Sequence, residues 1–595
     1  MIIMEHQIKE RVKNLRGYMR KNGIAAFIVP STDPHSGEYV PAHWESRKWI
    51  SGFTGSAGTA VVTTSECGLW TDSRYFLQAE EQLKDTGFRL FKDRLPETPS
   101  VADWLGNVLR KGDKVGIDGL VNTVSETEAL QEALHAYGLE VVSVTDPFDE
   151  IWKDRPEIPG NVPFILSTEY AGEPCKDKLG RIREALQANH AEGILLSALD
   201  EIAWTLNMRG DDVHCNPVFV SYLLVTKENA TLYILPGKLT DTLREYLFHN
   251  GVDIRDYSQI ADDLAHYKGH SIQLPDSTNY LLYQTAYAHT AIVRRPSPVL
   301  FLKSVKNPTE IAGFHAAMRR DGVAMVRFIK WLKEAVKNGN ETEVTVDRKL
   351  YGLRAEQKLF KGISFDTIAG YQSHGAIVHY EATEETAYTL KPEGLLLLDS
   401  GAQYLDGTTD ITRTIVLGPV TEEQKTDYTL VLKGFIALSA AEFPYGTCGT
   451  QLDVLARQFM WKAGINYGHG TGHGVGHFLN VHEGPHQFRM NHVPALLLPG
   501  MTVTNEPGIY KAGHHGIRTE NTMLIVESQK TESGDFYKFE PLTLCPIDKE
   551  AIRMDMMTAE EKVWLNNYHA LVFRELSPML DNAEKEWLRQ ATQAI

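Results

Sequence analysis

The spacing of hydrophobic residues along the first 150 positions predicts alternating helices and strands. An amphipathic opening helix is indicated by apolar residues that recur at helical spacing, at Ile8, Val12, Leu15 and Met19. The apolar runs at 25–30 and 58–64 are typical of strands, and the periodic segment 100–112 predicts a helix that ends at Gly112. This alternation favours an α/β unit.

A second α/β stretch follows residues 146–163, which are rich in proline and charge and have no hydrophobic period. Residues 194–200 weakly repeat the strand and turn pattern of residues 27–33. A duplicated domain explains this repeat, and chance reuse of the same strand–turn–helix pattern explains it equally well.

A third region begins near residues 302–310, where Asn307 and Pro308 open a long helical pattern that runs through Trp331. The chain is therefore predicted to be an α/β (α+β) protein of three domains, at residues 1–150, 151–308 and 309–595. The last and largest of these contains almost every candidate for chemistry.

Composition excludes several classes of protein. The 595 residues are 43% hydrophobic and 23% charged, which is ordinary for globular domains and argues against disorder. The net charge of −17 is opposite to the basic surface that nucleic-acid binding needs, so no nucleic-acid partner is expected. Five singly spaced cysteines indicate a reducing compartment, and no apolar run approaches the roughly 18 residues of a membrane span. We expect a cytoplasmic protein with no membrane partner.

Two aspartates lie in a predicted hairpin of the third domain. Residues 395–417 form two β-rich arms around an Asp406-Gly407 turn. Asp399 follows four leucines in the first arm, and Asp410 lies in the second. A carboxylate behind a buried run needs a partner, and two carboxylates on neighbouring strands repel each other, so a cation between them is the simplest remedy.

A segment rich in glycine and histidine, residues 467–486, offers imidazoles, which bind metals and carry protons near neutral pH. Its histidines are His469, His473, His477, His482 and His486. The glycines would let the backbone approach a bound substrate. Residues 482–486 fit the HExxH pattern of zinc peptidases, but Gly484-Pro485 would break the helix that this pattern requires. We expect instead a strand over 478–482 that leads into a loop and leaves His482 as a lone polar group.

Glu506 and Glu520 each lie in a strand-like run where alternation would otherwise continue, although glutamate is disfavoured in strands. With Asp399, Asp410 and one histidine they form a set of four carboxylates and one imidazole on or next to strands. Oxygen-rich ligands favour Mn, Mg or Ca over zinc, and an imidazole shifts the preference toward Mn. Two such ions roughly 3.5 to 4 Å apart would acidify a shared water, so hydrolysis is the predicted reaction class.

These motifs resemble those of the metallopeptidases with the pita-bread fold. The matching segments are LLLLDSGAQYLDGTTDITRT, HGTGHGVGHFLNVHEGP, NEPGIY and GIRTEN. Earlier segments, including IVPSTDPHSGEYVP and WTDSRYFLQAEEQL, also look alike, so the whole chain resembles the three-domain, cytosolic form of Xaa-Pro aminopeptidase. The resemblance implies two creatinase-like α/β domains, which would explain the internal repeat, followed by a pita-bread catalytic domain.

The resemblance also implies a set of metal ligands in this chain. They are Asp399, Asp410, His473, Glu506 and Glu520. Asp410 and Glu520 match the bridging positions, while His473 and Glu506 match ligands of one metal. Mn²⁺ is the expected ion, with Zn²⁺ or Co²⁺ as alternatives.

Four further residues match positions that bind substrate. His379 and His482 match histidines that contact the substrate and stabilise the tetrahedral intermediate, and His469 matches a third histidine that lines the pocket. Arg74 matches a peptide-binding arginine of the first domain, although Ser73 stands where glycine is common.

The implied mechanism is attack by a hydroxide that bridges two metals on the bond before proline. His379 or His482 would donate to the oxyanion, and Glu506 would carry the proton toward the leaving nitrogen. The substrates would be peptides with proline second, whose ring removes an N–H and fixes φ. A homodimer is expected, in which the first domain reaches the partner's site.

Other functions remain open. A prolidase shares the metal ligands but accepts only dipeptides, and the two N-terminal domains and the glycine-histidine segment favour the aminopeptidase. A methionine aminopeptidase needs little more than the catalytic domain. A binding protein that keeps the fold without metals is disfavoured by acceptable ligands at all five positions. The helical residues 557–576 are expected to pack on their own domain or to form a dimer surface.

Overall fold

The computed structural model describes residues 2–595, with side chains from residue 6 onward. The chain forms two compact units. The first comprises the residues up to Ile165, Glu173–His214 and Val218–Val299. The second comprises Leu166–Gly172, Cys215–Pro217 and Leu300–Ile595.

The helices are α1 (Ile2–Lys21), α2 (Ser46–Ser51), α3 (Phe76–Gln82), α4 (Val101–Val108), α5 (Val124–His135), α6 (Phe148–Ile151), α7 (Thr168–Ala171), α8 (Cys175–Ala188), α9 (Leu199–Leu206), α10 (Asp241–His249), α11 (Ile260–Ala265), α12 (Tyr280–Tyr287), α13 (Pro298–Ser304), α14 (Pro308–Ala335), α15 (Glu343–Ala355), α16 (Glu422–Ser439), α17 (Gly449–Lys462), α18 (Ala559–Leu576) and α19 (Asn582–Ala591).

The strands are β1 (Ala26–Val29), β2 (Thr59–Thr63), β3 (Cys67–Thr71), β4 (Arg89–Lys92), β5 (Lys114–Asp118), β6 (Glu140–Val144), β7 (Phe164–Ile165), β8 (Gly193–Leu196), β9 (Met208–Arg209), β10 (Tyr222–Thr226), β11 (Ala230–Ile234), β12 (Val252–Asp256), β13 (Ser271–Gln273), β14 (Ala291–Val293), β15 (Phe360–Ile363), β16 (Ile368–Tyr371), β17 (Leu395–Ser400), β18 (Ala402–Tyr404), β19 (Gly407–Thr408), β20 (Ile411–Val416), β21 (Glu442–Pro444), β22 (Gly472–Gly474), β23 (Glu483–Phe488), β24 (Thr502–Asn505), β25 (Gly508–Lys511), β26 (His515–Arg518), β27 (Asn521–Thr531) and β28 (Gly534–Pro541).

The first unit contains two six-stranded sheets of the same topology. Their orders are β4-β3-β2-β1-β5-β6 and β12-β11-β10-β8-β13-β14. In each sheet a central strand, β1 or β8, pairs antiparallel on one side and parallel on the other, and the outermost pairs are parallel. The weakly repeated segments of the sequence begin in these two central strands. The repeated topology favours duplication over chance as the explanation.

Hydrophobic periodicity correctly predicts the buried face of α1, but the predicted end of α4 is wrong. The apolar stripe of α1 is buried at all four predicted positions, in a core with Phe27 and Val62. Helix α4 ends at Val108, short of the predicted end at Gly112, because Leu109 adopts an extended conformation. Gly112 has φ +92° and turns the chain between α4 and β5.

The second unit is built around antiparallel sheets. A three-stranded sheet, β16-β17-β20, contains the outer arms of the predicted hairpin. The tip of the hairpin, β18-β19, pairs with β15 in a separate sheet, and because Tyr404 pairs with Gly407 its turn lies at Leu405-Asp406, one residue before the predicted Asp406-Gly407. A six-stranded sheet has the order β21-β28-β27-β24-β22-β23. Helix α14 begins where the sequence predicts, since the Asn307 side chain accepts hydrogen bonds from the N–H groups of Thr309 and Glu310. It continues to Ala335, one turn beyond the predicted Trp331.

The predicted C-terminal helix is α18, and it packs on its own unit. Leu565, Tyr568, Val572 and Leu576 are buried in one core with residues of α14 and α16. Val563 is 58% exposed and lies outside that core. Packing on its own domain therefore accounts for the apolar stripe.

The cysteines behave as buried thiols. They are free, and all but Cys215 are buried. Burial raises the pKa of Cys67 and of Cys545 to about 11 each, so both thiols are protonated and weakly nucleophilic at neutral pH. Across residues 2–595, no helix has the length and apolar character needed to cross a membrane.

We expect Leu565→Ala to lower the stability of the second unit by about 2–5 kcal/mol, because it leaves a cavity in a fully buried site. Val563→Ala, two residues away on the exposed face, should change stability by about 0.5 kcal/mol or less. Thermal denaturation of both variants beside the wild type is the measurement. Equal losses would contradict the packing of α18.

Candidate metal centre

Strand ends bring the five predicted metal ligands to one place. Asp399 is the penultimate residue of β17, and Asp410 immediately precedes β20, which pairs with β17. His473 lies in β22. The last pair of the β24–β27 ladder is Asn505 with Asn521. Glu506 directly follows Asn505 and Glu520 directly precedes Asn521, so both glutamates lie at the same end of that ladder.

The distances join these residues into a cluster. Ligand atoms of Asp410, His473 and Glu520 all lie within 4.8 Å of one another. The Nε2 atom of His473 is 3.4 Å from Oδ2 of Asp410 and 3.6 Å from Oε1 of Glu506. The two sheets are tied together where the Glu520 N–H donates to the Thr412 carbonyl oxygen at 3.1 Å. The structure thus assembles the predicted residues, and their role as ligands stays a prediction.

Burial and mutual repulsion disfavour the charged form of the carboxylates in the cluster. Burial, reinforced by Asp410 and Asp399, raises the pKa of Glu506 to about 7, although His473 and Arg518 act in the opposite direction. Burial and the neighbouring carboxylates also raise the pKa of Glu520. Asp399 shows the same upward shift, from burial and Asp410, against the opposing charge of Arg518. The cluster therefore favours any positive charge placed within it.

His473 is oriented toward these carboxylates. Burial lowers its pKa, but the hydrogen bond that His473 donates to Asp410 and the charges of Glu506 and Asp410 outweigh burial and raise the pKa to about 9. Its Nδ1–H donates to the Gly474 carbonyl oxygen at 2.9 Å, because a carbonyl can only accept. Nε2 therefore faces the carboxylates and is the atom that could bind a cation.

Arg518 is a member of the centre that the sequence analysis missed. Its guanidinium is fully buried and donates to Oδ2 of Asp399 at 2.6 Å and to the Tyr510 hydroxyl at 2.8 Å. Arg518 precedes Glu520 by two residues in GIRTEN. An arginine two residues before a predicted ligand, on the same side of a predicted strand, is the sequence signal for this contact.

Thr412 was also missed. Its hydroxyl donates to Oε2 of Glu520 at 2.8 Å and accepts from Nε of Arg518 at 3.2 Å. It lies opposite Asp399 in the β17–β20 register. One threonine hydroxyl thus orients a predicted ligand and the arginine that contacts another.

The donor set fits a pair of divalent cations. The Oδ1 atom of Asp399 is buried and has no hydrogen-bond partner, which is costly for a carboxylate oxygen unless a cation binds it. Oxygen atoms from four carboxylates and one imidazole nitrogen form the ligand chemistry that hard divalent ions such as Mn²⁺ prefer.

Each of the three histidines predicted to bind substrate lies in a segment that contacts this centre. The ring of His482 lies 4.3 Å from the ring of His473, centroid to centroid. His469 makes a hydrogen bond of 2.8 Å between Nε2 and the hydroxyl of Tyr510. His379 lies in the turn after Val378, whose carbonyl oxygen is 3.5 Å from the guanidinium of Arg518.

The predicted strand at 478–482 is wrong, and the order of elements is reversed. Residues 475–482 form a loop, closed where the Gly476 N–H donates to the Asn480 carbonyl oxygen, and the strand β23 follows from Glu483. Glu483 is buried and paired with Lys303 at 3.0 Å, which fixes the start of the strand. The rejection of a zinc-peptidase helix is confirmed, because residues 483–488 are β-strand.

Two glycines of this segment, Gly472 and Gly474, allow close packing between strands, and the approach of the backbone to substrate stays a prediction. A Cβ at Gly472 would lie 1.9 Å from the Thr504 carbonyl oxygen of β24. A Cβ at Gly474 would lie 2.5 Å from the Glu483 carbonyl oxygen. Larger residues would therefore separate the strands that carry His473 and Glu506.

Arg74 belongs to the first unit. Its guanidinium forms a two-point contact with Asp72, at 2.9 Å and 2.8 Å, in the turn between β3 and α3. Hydrogen bonds and the charge of Asp72 raise the pKa of Arg74 in spite of burial. The role of Arg74 in peptide binding stays a prediction.

Family models match almost the whole chain. Residues 312–527 match metallopeptidase family M24, and residues 535–595 match the C-terminal region of M24 peptidases. Residues 11–151 and 154–310 each match the N-terminal domain of creatinase and prolidase.

Relatives of similar length support the same grouping. A probable Xaa-Pro aminopeptidase P of Laccaria bicolor is 41% identical over 98% of this chain and 92% of its own length. Xaa-Pro aminopeptidase 1 of Dictyostelium discoideum is 38% identical over 98% of this chain and 96% of its own. Among solved structures, the X-prolyl aminopeptidase of Caenorhabditis elegans is 35% identical with a TM-score of 0.92, covering 96% of this chain and 95% of its own. That protein is described as a cytosolic enzyme with a di-nuclear active site.

We expect added Mn²⁺ to raise the thermal midpoint of the second unit, because it relieves repulsion among buried carboxylates. Binding at a concentration about 100-fold above Kd adds about 2.7 kcal/mol of stability. The Asp410→Ala variant should lose most of this rise, since a ligand atom of Asp410 lies within 4.8 Å of those of both His473 and Glu520. Asp406→Ala, in the turn of the same hairpin, is the control and should keep it. A rise that survives Asp410→Ala would argue against this centre.

Proposed function

The chain belongs to the Xaa-Pro aminopeptidase P family of M24 metallopeptidases, and from that membership we propose that it hydrolyses the peptide bond between an N-terminal residue and proline. Its architecture is that of the family, two creatinase-like N-terminal α/β domains and a pita-bread catalytic domain. The observation that carries the proposal is the match to Xaa-Pro aminopeptidases over 98% of the chain, with ligand-type residues at all five predicted positions.

Two alternatives are weaker. A prolidase would share the centre, but the full-length relatives at about 40% identity are aminopeptidases. A binding protein without metals has no use for buried carboxylates that repel one another, and such carboxylates are expensive to keep in a core.

We propose two divalent cations, with Mn²⁺ as the ion. The predicted ligands are Asp399, Asp410, His473, Glu506 and Glu520. Bound there, such ions supply an acidified water as nucleophile and polarise the scissile carbonyl. The di-nuclear site of the Caenorhabditis elegans relative and the unpartnered oxygen of Asp399 support this assignment.

Glu506 is proposed as the proton carrier. It follows β24, and its N–H donates to the Thr471 carbonyl oxygen at 2.8 Å, which fixes its backbone. A carboxylate held this way next to His473 can accept a proton from the attacking water and deliver it to the nitrogen of the leaving proline. The proline nitrogen must gain a proton to leave, because it has none in the peptide.

His379 and His482 are proposed to bind the substrate carbonyl as its oxygen becomes negative. A donor that gains strength in the transition state lowers the barrier more than one that binds the ground state equally well. His482, beside His473, and His379, beside the carbonyl contacted by Arg518, lie on loops at the centre. His469 and Arg74 are proposed to bind the rest of the peptide.

The remaining assignments concern the whole chain. We propose domains 1–150, 151–308 and 309–595, supported by family matches at 11–151, 154–310 and 312–527. We also propose a homodimer in the cytoplasm that acts on peptides and not on nucleic acid. The net charge of −17 supports the exclusion of nucleic acid, and the cytosolic relative supports the location.

An Xaa-Pro-Xaa tripeptide should be cleaved to release its first residue in the presence of Mn²⁺, and activity should disappear with a chelator. Asp410→Ala should abolish cleavage, whereas Asp406→Ala should retain it in proportion to the folded protein. Product analysis by mass spectrometry measures both. Cleavage of an Xaa-Pro dipeptide alone would instead indicate a prolidase.

Alanine at His379 or His482 should lower kcat by about 10²–10³-fold, the usual cost of losing one donor to an oxyanion. Metal content per chain, measured in the same samples, should be unchanged, because neither residue is a predicted ligand. His492→Ala changes an exposed histidine of the same unit and serves as the control. Unaltered kcat in both variants would remove these histidines from the mechanism.

A further inference from the structure

An ion pair is buried within helix α17 of the second unit. Asp453 and Arg457 are one turn apart, and Nε of Arg457 donates to Oδ2 of Asp453 at 2.7 Å. The two residues are 2% and 1% exposed. A buried pair gains little stability over apolar residues of the same size, so its retention needs another explanation.

The other donors of Arg457 hold a loop. The loop comprises residues 466–471, between α17 and β22. Arg457 donates to the carbonyl oxygens of Tyr467 and His469, each at 2.8 Å, and to Oδ1 of Asn466 at 3.1 Å. Its guanidinium carbon lies 3.8 Å from the centre of the Tyr467 ring. One side chain thus fixes three residues of the loop.

The second oxygen of Asp453 holds the end of the same loop. Oδ1 of Asp453 accepts a hydrogen bond of 2.5 Å from the Thr471 hydroxyl. That hydroxyl is also 2.5 Å from the hydroxyl of Tyr467. Since a carboxylate only accepts, Thr471 donates to Asp453 and Tyr467 donates to Thr471. The directions of all these hydrogen bonds are therefore determined.

The loop reaches the metal centre at two points. The Thr471 carbonyl oxygen accepts from the N–H of Glu506 at 2.8 Å. His469 contacts the Tyr510 hydroxyl, which accepts a hydrogen bond from Arg518. Arg457 thus binds the carbonyl of His469 itself, which is predicted to contact substrate. That carbonyl is two residues from Thr471, whose own carbonyl binds the N–H of Glu506.

We infer that Asp453 and Arg457 are positioning residues for the reaction, which hold His469 against Tyr510 and the backbone of Glu506 against Thr471. This inference rests on the proposed function, because it takes its meaning from the roles of His469 and Glu506. Arginine is required here, since a lysine ammonium cannot span the carbonyls of Tyr467 and His469 and still pair with Asp453.

The test compares Arg457→Lys and Asp453→Asn with the full-length wild type. Amide hydrogen exchange, followed by mass spectrometry, should become faster in residues 466–472 and at Glu506. On an Xaa-Pro-Xaa tripeptide with Mn²⁺, kcat/KM should fall at least tenfold, with KM raised through His469 and kcat lowered through Glu506. A purely structural role would reduce the folded fraction and hence kcat, and would leave KM unchanged.

Glu561→Gln is the matched control. It removes the partner of Lys433, with which Glu561 forms a largely buried pair at 2.7 Å between α16 and α18. This variant should lose stability but keep kcat and KM within twofold and leave exchange in the loop unchanged.

Unchanged loop exchange in both variants, or faster exchange with wild-type kcat and KM, would overturn the inference. If Arg457→Lys does not fold, Asp453→Asn decides, since it removes one acceptor and keeps the shape of the side chain. A wild type that cleaves no peptide would refute the proposed function, and the exchange measurement would still report whether the pair holds the loop and Glu506.

Discussion

The candidate metal centre depends on one constraint: the fold holds four carboxylates close together in its interior, where they repel one another. Asp399, Asp410, Glu506 and Glu520 are buried or nearly so, and three of them have raised pKa values that trace to burial and to one another. Their attachment to ends of paired strands gives them little freedom to separate. The energy that this arrangement costs is what makes a bound divalent cation favourable, so the constraint and the proposed chemistry have one origin.

The sheets provide this constraint through contacts that are remote in sequence. Asp399 and Asp410 are joined by the β17–β20 ladder, and Glu506 and Glu520 by the end of the β24–β27 ladder. The hydrogen bond between the Glu520 N–H and the Thr412 carbonyl connects the two ladders. Neither sheet alone contains the full set, and the glycines of β22 allow the strand with His473 to lie close to β24.

Sequence predicted the parts of this arrangement that depend on local physics. The hairpin around Asp406, the start of α14 at Asn307 and the apolar stripe of α1 follow from turn, cap and periodicity rules. The order of loop and strand at 475–488 was mispredicted, because Glu483 is drawn into a strand by lysines about 180 residues away in the chain. The partners of Asp399 and Glu520 were missed for the same reason, since pairing between distant segments leaves no periodic signal.

Two buried arginines, Arg518 and Arg413, lie close in sequence to predicted metal ligands. Arg518 precedes Glu520 by two residues, and Arg413 follows Asp410 by three. Arg413 donates to the carbonyl oxygens of Thr412, at 2.9 Å, and of Glu520, at 2.6 Å, and has no carboxylate partner among these bonds. The planar guanidinium donates to several backbone carbonyl oxygens at once and also places a positive charge near the carboxylate cluster. A lysine ammonium lacks this fixed arrangement of donors and cannot replace it. An arginine beside each of two predicted ligands, in TDITRT and GIRTEN, is therefore part of the centre itself, because it holds the backbone to which the ligands are attached.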